Sequence, residues 1–125
     1  MSFDWERYFD LADWLLKNPA AAASEEASLR SAISRAYYAA FCSARNFARD
    51  QCGLTLKNDP KDHQRVALHF QNAKDRDRRQ IGFWLGRLRE QRREADYDDE
   101  RPGLPAVAQN AVADTRELLN ILKLL

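Results

Sequence analysis

The longest helical pattern in the chain lies in residues 24–53, which read SEEASLRSAISRAYYAAFCSARNFARDQCG. Within this stretch, apolar side chains recur at intervals of three and four residues, the spacing of one buried face of an α-helix. Ser24 is a favourable N-cap residue, and Gly53 readily adopts the left-handed conformation that ends a helix. We therefore predict a long helix from Ser24 to about Gln51, with this core stripe: Ile33, Tyr37, Ala40, Ala44 and Phe47.

The same helix carries a second stripe of a different chemical character. It mixes cations, a phenol and a thiol at helical spacing, in the order Ser31, Arg35, Tyr38, Cys42, Arg45 and Arg49. A helix that served only as a scaffold would gain more stability from leucines at such positions, because burial of apolar surface stabilises a bundle. The second stripe therefore predicts a functional face.

Outward from this helix, four more stretches show apolar residues at the same period. They lie within residues 5–16, 66–73, 81–95 and 108–125. Asn18 and Pro19 are expected to end the first of these helices, and the alanine-rich residues 20–23 to link it to the long helix. Because strand-like alternation is almost absent, the pattern predicts an all-α fold. We expect an up-and-down antiparallel bundle of four to five helices that forms a single domain over residues 1–125.

Two local features refine this prediction. Asp59 and Pro60 are typical of a helix N-cap and of the first helical position, so the third helix is expected to begin there. Gly82 and Gly86 lie four residues apart on the fourth helix. This spacing favours the close approach of a neighbouring helix, because neither residue carries a side chain.

The composition of the 125-residue chain excludes several classes of protein. No apolar run approaches the roughly 18–20 residues that cross a bilayer, and the acidic, aromatic N-terminus is unlike a secretory signal. We therefore expect a cytoplasmic protein with no membrane contact. Cys42 and Cys52 are expected to be reduced thiols, because their spacing on one helix is too long for a disulfide. With two His, no C-x-x-C and no glycine-rich phosphate loop, we expect neither a metal nor a cofactor.

The charges are balanced overall, with 20 Lys and Arg residues against 19 Asp and Glu residues, but they are unevenly distributed. Residues 74–93 carry eight basic and three acidic side chains, whereas residues 94–125 carry three basic and seven acidic ones. A locally basic segment can bind a polyanion without strong long-range steering. The distribution favours weak RNA or DNA binding that decreases as salt rises, with slight sequence preference.

The fourth helix carries a cluster of charged side chains beside its apolar stripe. Arg89, Arg92, Arg93 and Asp96 fall on an arc of roughly 100°, with Tyr97 at its edge. Arg92 is expected to be half-buried, and a buried guanidinium needs an acceptor, for which Asp96 is the nearest. Two interpretations remain open at this point. The cluster is either an internal salt bridge that closes the helix end or an arginine site that holds a phosphate.

Two blocks of sequence, taken together, resemble the HEPN superfamily. The first reads SRAYYAAF at residues 34–41, and the second reads LREQRREADYD at residues 88–98. They are similar to blocks of small prokaryotic HEPN proteins, and the resemblance extends over essentially the whole chain. It implies a four-to-five-helix bundle that forms homodimers. It also implies a partner such as a minimal nucleotidyltransferase, in a toxin–antitoxin, phage-defence or RNA-processing system.

The nuclease branch of this superfamily uses an R-x4-6-H motif, of which two copies meet across a dimer to cleave RNA without metal. Arg92 can be matched to the motif arginine, but Tyr97 follows the four intervening residues where a histidine is needed. Because tyrosine is a poor general base near neutral pH, this departure argues against cleavage but leaves a cationic pocket in place. Arg92 and Tyr97 are the catalytic candidates, and His63 and His69 are interpreted as ordinary polar residues.

These patterns converge on one hypothesis for the site. The second and fourth helices are expected to bring together the ligand-binding residues Arg35, Tyr38, Arg89, Arg92, Asp96 and Tyr97. The excess of positive charge suits a nucleotide or an RNA phosphate. Two alternatives stay open. One is a metal-independent endoribonuclease that uses Arg35, Arg92 and either Tyr97 or a histidine from elsewhere, and the other is a non-catalytic helical scaffold.

Overall fold

A computed structural model describes residues 2–19 and 24–125, and this part of the chain contains five helices and no strand. The helices are α1 (Glu6–Lys17), α2 (Glu25–Cys52), α3 (Asp62–Gln71), α4 (Arg76–Tyr97) and α5 (Leu104–Leu124). The predicted all-α helical bundle is confirmed, while the predicted link at residues 20–23 lies outside the described residues. No described helix is both long enough and apolar enough to span a membrane.

The long helix α2 lies at the centre of the bundle and packs against each of the other four helices. Both of its predicted ends are confirmed. The Ser24 side chain accepts a hydrogen bond from the Ala27 amide at 3.0 Å, and Gly53 ends the helix with φ 70°. Several fully buried alanines let neighbouring helices approach α2 closely, because their side chains add little bulk. They are Ala32, Ala36, Ala39, Ala40, Ala44 and Ala48.

Helix α3 begins later than the sequence suggests. The predicted N-cap Asp59 instead stabilises a turn, because its side chain accepts from the Lys61 amide at 2.9 Å and its carbonyl accepts from the Asp62 amide at 3.0 Å. The helix starts at Asp62, with Lys61 at the N-cap position and Pro60 in the preceding turn. The prediction of Asp59 and Pro60 as the helix start is therefore wrong by two residues.

Close packing between α3 and α4 occurs where Gly82 faces the last residue of α3. A β-carbon placed on Gly82 would lie 2.5 Å from the backbone nitrogen of Gln71, a distance that no real side chain tolerates. The Gln71 side-chain amide also donates to the Gly82 carbonyl at 3.1 Å. The predicted close approach is confirmed at Gly82, whereas the same test at Gly86 gives an ordinary 3.6 Å contact to that amide nitrogen.

Candidate functional site

Helices α2 and α4 bring three of the predicted site residues into one stack. The Tyr38 ring on α2 has the Arg35 guanidinium 5.5 Å from its centroid and the Arg92 guanidinium of α4 at 5.7 Å. Both distances are within the range of a cation–π interaction. The phenol of Tyr38 therefore connects two guanidiniums that lie on different helices.

The Arg92 guanidinium is buried but incompletely bonded. Its side chain is 14% exposed, and its nearest carboxylate is Asp96, with Nη1 and Oδ2 3.6 Å apart. That carboxylate also accepts a hydrogen bond from the Ser34 hydroxyl at 3.2 Å. Within the described residues, Arg92 Nε has no hydrogen-bond partner. The Arg92 guanidinium is therefore held by a single long carboxylate contact, and its unpartnered Nε is shielded from solvent.

The end of α4 that carries these side chains is fixed to α2 by Arg30. This residue donates to the backbone carbonyl of Ala95 at 2.8 Å and to that of Asp99 at 3.4 Å. The last carbonyls of a helix lack partners within the helix, so a cation at this position is favourable. Arg30 thus sets the position of α4 relative to α2 in the region that carries Arg92 and Asp96.

A histidine that the sequence analysis set aside lies beside this stack. His63, in the first turn of α3, forms a hydrogen bond through Nδ1 with the Tyr37 hydroxyl. Its ring stacks on Phe41, with centroids 4.1 Å apart and the planes 13° from parallel. His63 is 26 positions from Tyr37 in the sequence and lies on a different helix. The periodicity of a single helix therefore could not predict their contact. Within the described residues, no hydrogen bond engages Nε2 of His63.

The surroundings of His63 keep its ring uncharged. Burial, reinforced by the nearby Arg89 and Arg92 cations, lowers the pKa of His63 to about 4. Burial likewise raises the pKa of the Tyr37 phenol above its ordinary value, although Arg89 and Arg92 oppose the shift. At neutral pH the pair is therefore an uncharged imidazole bonded to an uncharged phenol.

A cavity of about 460 Å³ opens between α3 and α4, with His63 in its wall. Arg89, Arg92 and Arg93 line the α4 side of this cavity. Arg93 is neutralised, because its guanidinium lies 2.6 Å from Glu90 and 3.6 Å from Asp98. The cavity therefore presents two arginines, Arg89 and Arg92, to a ligand.

His63 also lines two further cavities. One, of about 360 Å³, lies at the turn before α3 and includes Phe41 and Arg45 in its wall. The other, of about 440 Å³, lies between the start of α1 and the middle of α2. The cavity between α1 and α2 contains two of the three cations of the predicted α2 stripe, Arg35 and Arg45. His63 is thus shared by all three cavities.

We define the cationic face as His63 together with Arg35, Arg45, Arg89 and Arg92. Within residues 2–19 and 24–125, no carboxylate lies within 4.0 Å of the guanidinium of Arg35, Arg45 or Arg89. Only Arg92 has one, the 3.6 Å contact to Asp96. The cationic face therefore carries an excess of positive charge beside an uncharged imidazole.

The remaining predicted residue, Tyr97, is not part of this assembly. It is the last residue of α4 and is 72% exposed. The described residues provide no hydrogen bond or ring contact between Tyr97 and the cationic face. No group of three or more His, Cys, Asp or Glu side chains in the described parts of the chain is arranged to hold a metal ion.

Comparison with known proteins gives one match. A family model described as the HEPN domain matches residues 5–125, which is essentially the whole chain. No curated protein matches the chain, and no solved structure matches it.

Proposed function

The chain belongs to the HEPN domain family, whose helical members are generally related to RNA and to toxin–antitoxin systems, and we propose that its cationic face binds the phosphates of RNA. The observation that carries this proposal is the charge of the face. Three of its four guanidiniums, on Arg35, Arg45 and Arg89, lack a carboxylate partner in the described chain.

Phosphate is the anion that this arrangement suits best. A guanidinium presents paired N–H donors to two oxygens of a phosphate, and partial burial strengthens such charge-assisted hydrogen bonds. Arg89 and Arg92 line one cavity from the same helix, and the carboxylate nearest to Arg92 is 3.6 Å away. Asp96 restrains the Arg92 guanidinium without neutralising the face as a whole.

The binding proposal is tested by titrating a fluorescent single-stranded RNA with the protein at a series of salt concentrations. Binding should be detectable at low salt and should weaken steeply as salt rises, since each phosphate contact releases counterions. The Arg89→Ala and Arg92→Ala variants should each reduce the slope of log affinity against log salt by about 0.7.

Arg78→Ala provides the matched control, because Arg78 lies on the same helix and within the same basic segment but pairs with Asp75 at 3.0 Å. If Arg78→Ala weakened RNA binding as much as Arg89→Ala and Arg92→Ala, the basic segment would bind RNA through its overall charge rather than at a defined site. The absence of RNA binding at low salt would exclude the proposal.

A second candidate function is metal-independent RNA cleavage, favoured by the position of His63. Its imidazole is uncharged at neutral pH and lies between arginine-lined cavities. In the tautomer that donates Nδ1–H to the Tyr37 hydroxyl, Nε2 can accept a proton from a ribose 2′-hydroxyl. The attack of that oxygen on the adjacent phosphorus would break the bond to the 5′-oxygen, which takes up a proton from solvent and leaves as a 5′-hydroxyl, and a 2′,3′-cyclic phosphate would remain. Arg89 and Arg92 would stabilise the charge that develops on the phosphate oxygens.

Cleavage is tested with single-stranded RNA in the presence of a chelator. The wild type should yield 2′,3′-cyclic phosphate ends, and His63→Gln should yield none while still binding RNA. Products from the His63→Gln variant at the wild-type rate would assign the activity to a contaminant or to another residue.

We also propose that the protein acts as a homodimer with a system partner such as a nucleotidyltransferase. HEPN domains often dimerise and occur in toxin–antitoxin systems. Light scattering at tens of micromolar protein should give about twice the 14.5 kDa chain mass. A mass of one chain under those conditions would contradict the dimer, and the neighbouring reading frames would identify the class of partner.

A further inference from the structure

The cavity between α1 and α2 has features that phosphate binding does not require. It has a volume of about 440 Å³, and its wall is mainly aromatic and cationic. The lining residues are Trp5, Tyr8, Arg35, Tyr38, Phe41, Cys42, Arg45 and His63. Burial raises the pKa of the Cys42 thiol, so this group stays protonated and is a poor nucleophile. The cavity is therefore a surface for binding flat groups rather than for thiol chemistry.

Two aromatic rings from the start of α1, Trp5 and Tyr8, line one edge of this cavity. The Trp5 ring makes edge-to-face contacts with Phe3 at 4.9 Å and with Tyr8 at 5.4 Å. Phe3 itself is 50% exposed. Rings held in this way keep a fixed orientation and lose little conformational freedom when a planar ligand packs against them.

Two of the three cations of the α2 stripe, Arg35 and Arg45, lie over these rings. The Arg35 guanidinium is 4.7 Å from the centroid of Tyr8, and the Arg45 guanidinium is 5.6 Å from that of Trp5. Guanidinium planes and aromatic rings are the two kinds of surface on which unpaired nucleobases stack. Their alternation along one cavity is suited to a base with its own phosphate close by.

We propose that the cavity between α1 and α2 is a base-binding subsite, so that the RNA bound by the cationic face is single-stranded. This inference rests on the proposed function. His63 lines both this cavity and the arginine-lined cavity between α3 and α4, so a strand that fills both crosses the His63 ring. A duplex is disfavoured, because its bases are stacked on one another and cannot enter the cavity.

The first experiment needs only the wild-type protein and three fluorescent probes of equal length. These are a single-stranded RNA, an abasic ribose–phosphate chain and an RNA duplex, each titrated at low salt. The single strand should bind roughly tenfold more tightly than the abasic chain, since stacking on an aromatic side chain contributes about 1–3 kcal/mol per base. The duplex should bind no better than the abasic chain.

The second experiment removes the aromatic edge. Trp5→Leu should weaken binding of the single-stranded RNA roughly tenfold and binding of the abasic chain much less, since the abasic chain has no base to stack on Trp5. Trp14→Leu is the matched control, because Trp14 is 50% exposed on the same helix and does not line the cavity. Tyr8→Leu serves as a second variant of the edge if Trp5→Leu does not fold.

The outcomes separate this inference from the function on which it rests. Salt-sensitive binding that is equal for the single strand and the abasic chain would overturn the base-binding subsite and leave phosphate binding intact. No binding of any probe would overturn both. Preference for an acidic peptide over single-stranded RNA, competing at the same cavity, would also overturn the inference.

Discussion

Two pairs of aspartate and arginine, both at helical spacing, differ in how completely they are bonded. Asp62 and Arg65 on α3 lie 2.7 Å apart, and Asp62 also accepts from the amides of Lys57 at 3.1 Å and Asn58 at 2.8 Å. Arg92 and Asp96 on α4 lie 3.6 Å apart, with Arg92 Nε unpartnered within the described residues. The groups of the first pair are bonded within the protein, whereas Arg92 in the second pair is incompletely bonded and could contact a ligand.

The difference shows that spacing alone does not distinguish a structural ion pair from a binding site. Both pairs have the three- or four-residue spacing of an intrahelical salt bridge. What separates them is the number of additional groups that each carboxylate and guanidinium bonds. Asp62 fixes the turn before α3, and Arg92 packs over Tyr37 and Tyr38 without a close carboxylate. We therefore expect mutations of the two pairs to have opposite consequences.

The largest effect on stability is expected for Asp62→Ala. The substitution leaves the amides of Lys57 and Asn58 without their acceptor and leaves Arg65 with Asp59, 2.9 Å away, as its remaining carboxylate. Thermal unfolding should show a melting temperature lower than that of any other variant discussed, while RNA binding at low temperature persists. Asp96→Ala is the control and should melt close to the wild type. Equal losses would erase the distinction between the two pairs.

The second-largest effect is expected for Arg92→Ala, and it is on RNA binding rather than on stability. Loss of a charge-assisted contact to phosphate should weaken RNA binding about tenfold or more, and loss of the ring contacts should lower stability by only about 1 kcal/mol. Binding is measured by fluorescence anisotropy and stability by urea unfolding. Arg65→Ala should show the reverse, a clear loss of stability with unchanged binding. A collapse of the Arg92→Ala protein would instead make Arg92–Asp96 a structural pair.

A smaller effect is expected from pH through His63. Its pKa is 6.5 in an unfolded chain and about 4 in the folded protein, so between these values only the unfolded chain binds the proton. The free energy of unfolding should therefore decrease as pH falls from about 6.5 to about 4. Since the ring is only half-buried, the loss should be on the order of 1–2 kcal/mol. Urea unfolding of His63→Gln should lack this component, and an identical pH profile would refute the assignment.

The smallest effect is expected for Tyr97→Phe. Tyr97 is exposed and has no contact with the cationic face in the described chain, so removal of its hydroxyl should change neither RNA affinity nor melting temperature measurably. This result would remove from the site a residue that the sequence pattern had placed in it. A loss of RNA binding would instead mean that Tyr97 acts at the site, for example across a dimer.

The parts of the fold that depend on local chemistry could be predicted from the sequence. Ser24 and Gly53 act as caps through their own backbone and side-chain properties, so their roles are visible without a partner. Asp59 was misassigned, because its side chain can cap a turn as readily as a helix. Whether Asp59 caps the turn or the helix depends on Asp62, whose carboxylate accepts hydrogen bonds from the preceding amides of residues 57 and 58.

The site was predictable only to the extent that it lies within single helices. Arg92 and Asp96 are four residues apart, so their proximity follows from helix geometry. The contact between Arg92 and Tyr38 also requires α4 to pack against α2, an arrangement that the family resemblance implied. His63 was missed, because its contacts to Tyr37 and Phe41 depend on where α3 docks against α2. No periodicity within one helix carries that information.

The glycine at position 82 has a consequence for the shape of the site. Helices α3 and α4 run in opposite directions, touching closely at Gln71 and Gly82 and carrying His63 and Arg89 toward their other ends. The two helices are therefore closest at Gln71 and Gly82, and the 460 Å³ cavity opens between them toward His63 and Arg89. Because this contact joins a backbone nitrogen to a residue without a side chain, the separation of the two helices is set at Gly82, about two helical turns before Arg89. The size of an anion that would fit the cavity thus depends on the contact at Gly82 as much as on the arginines that line the cavity.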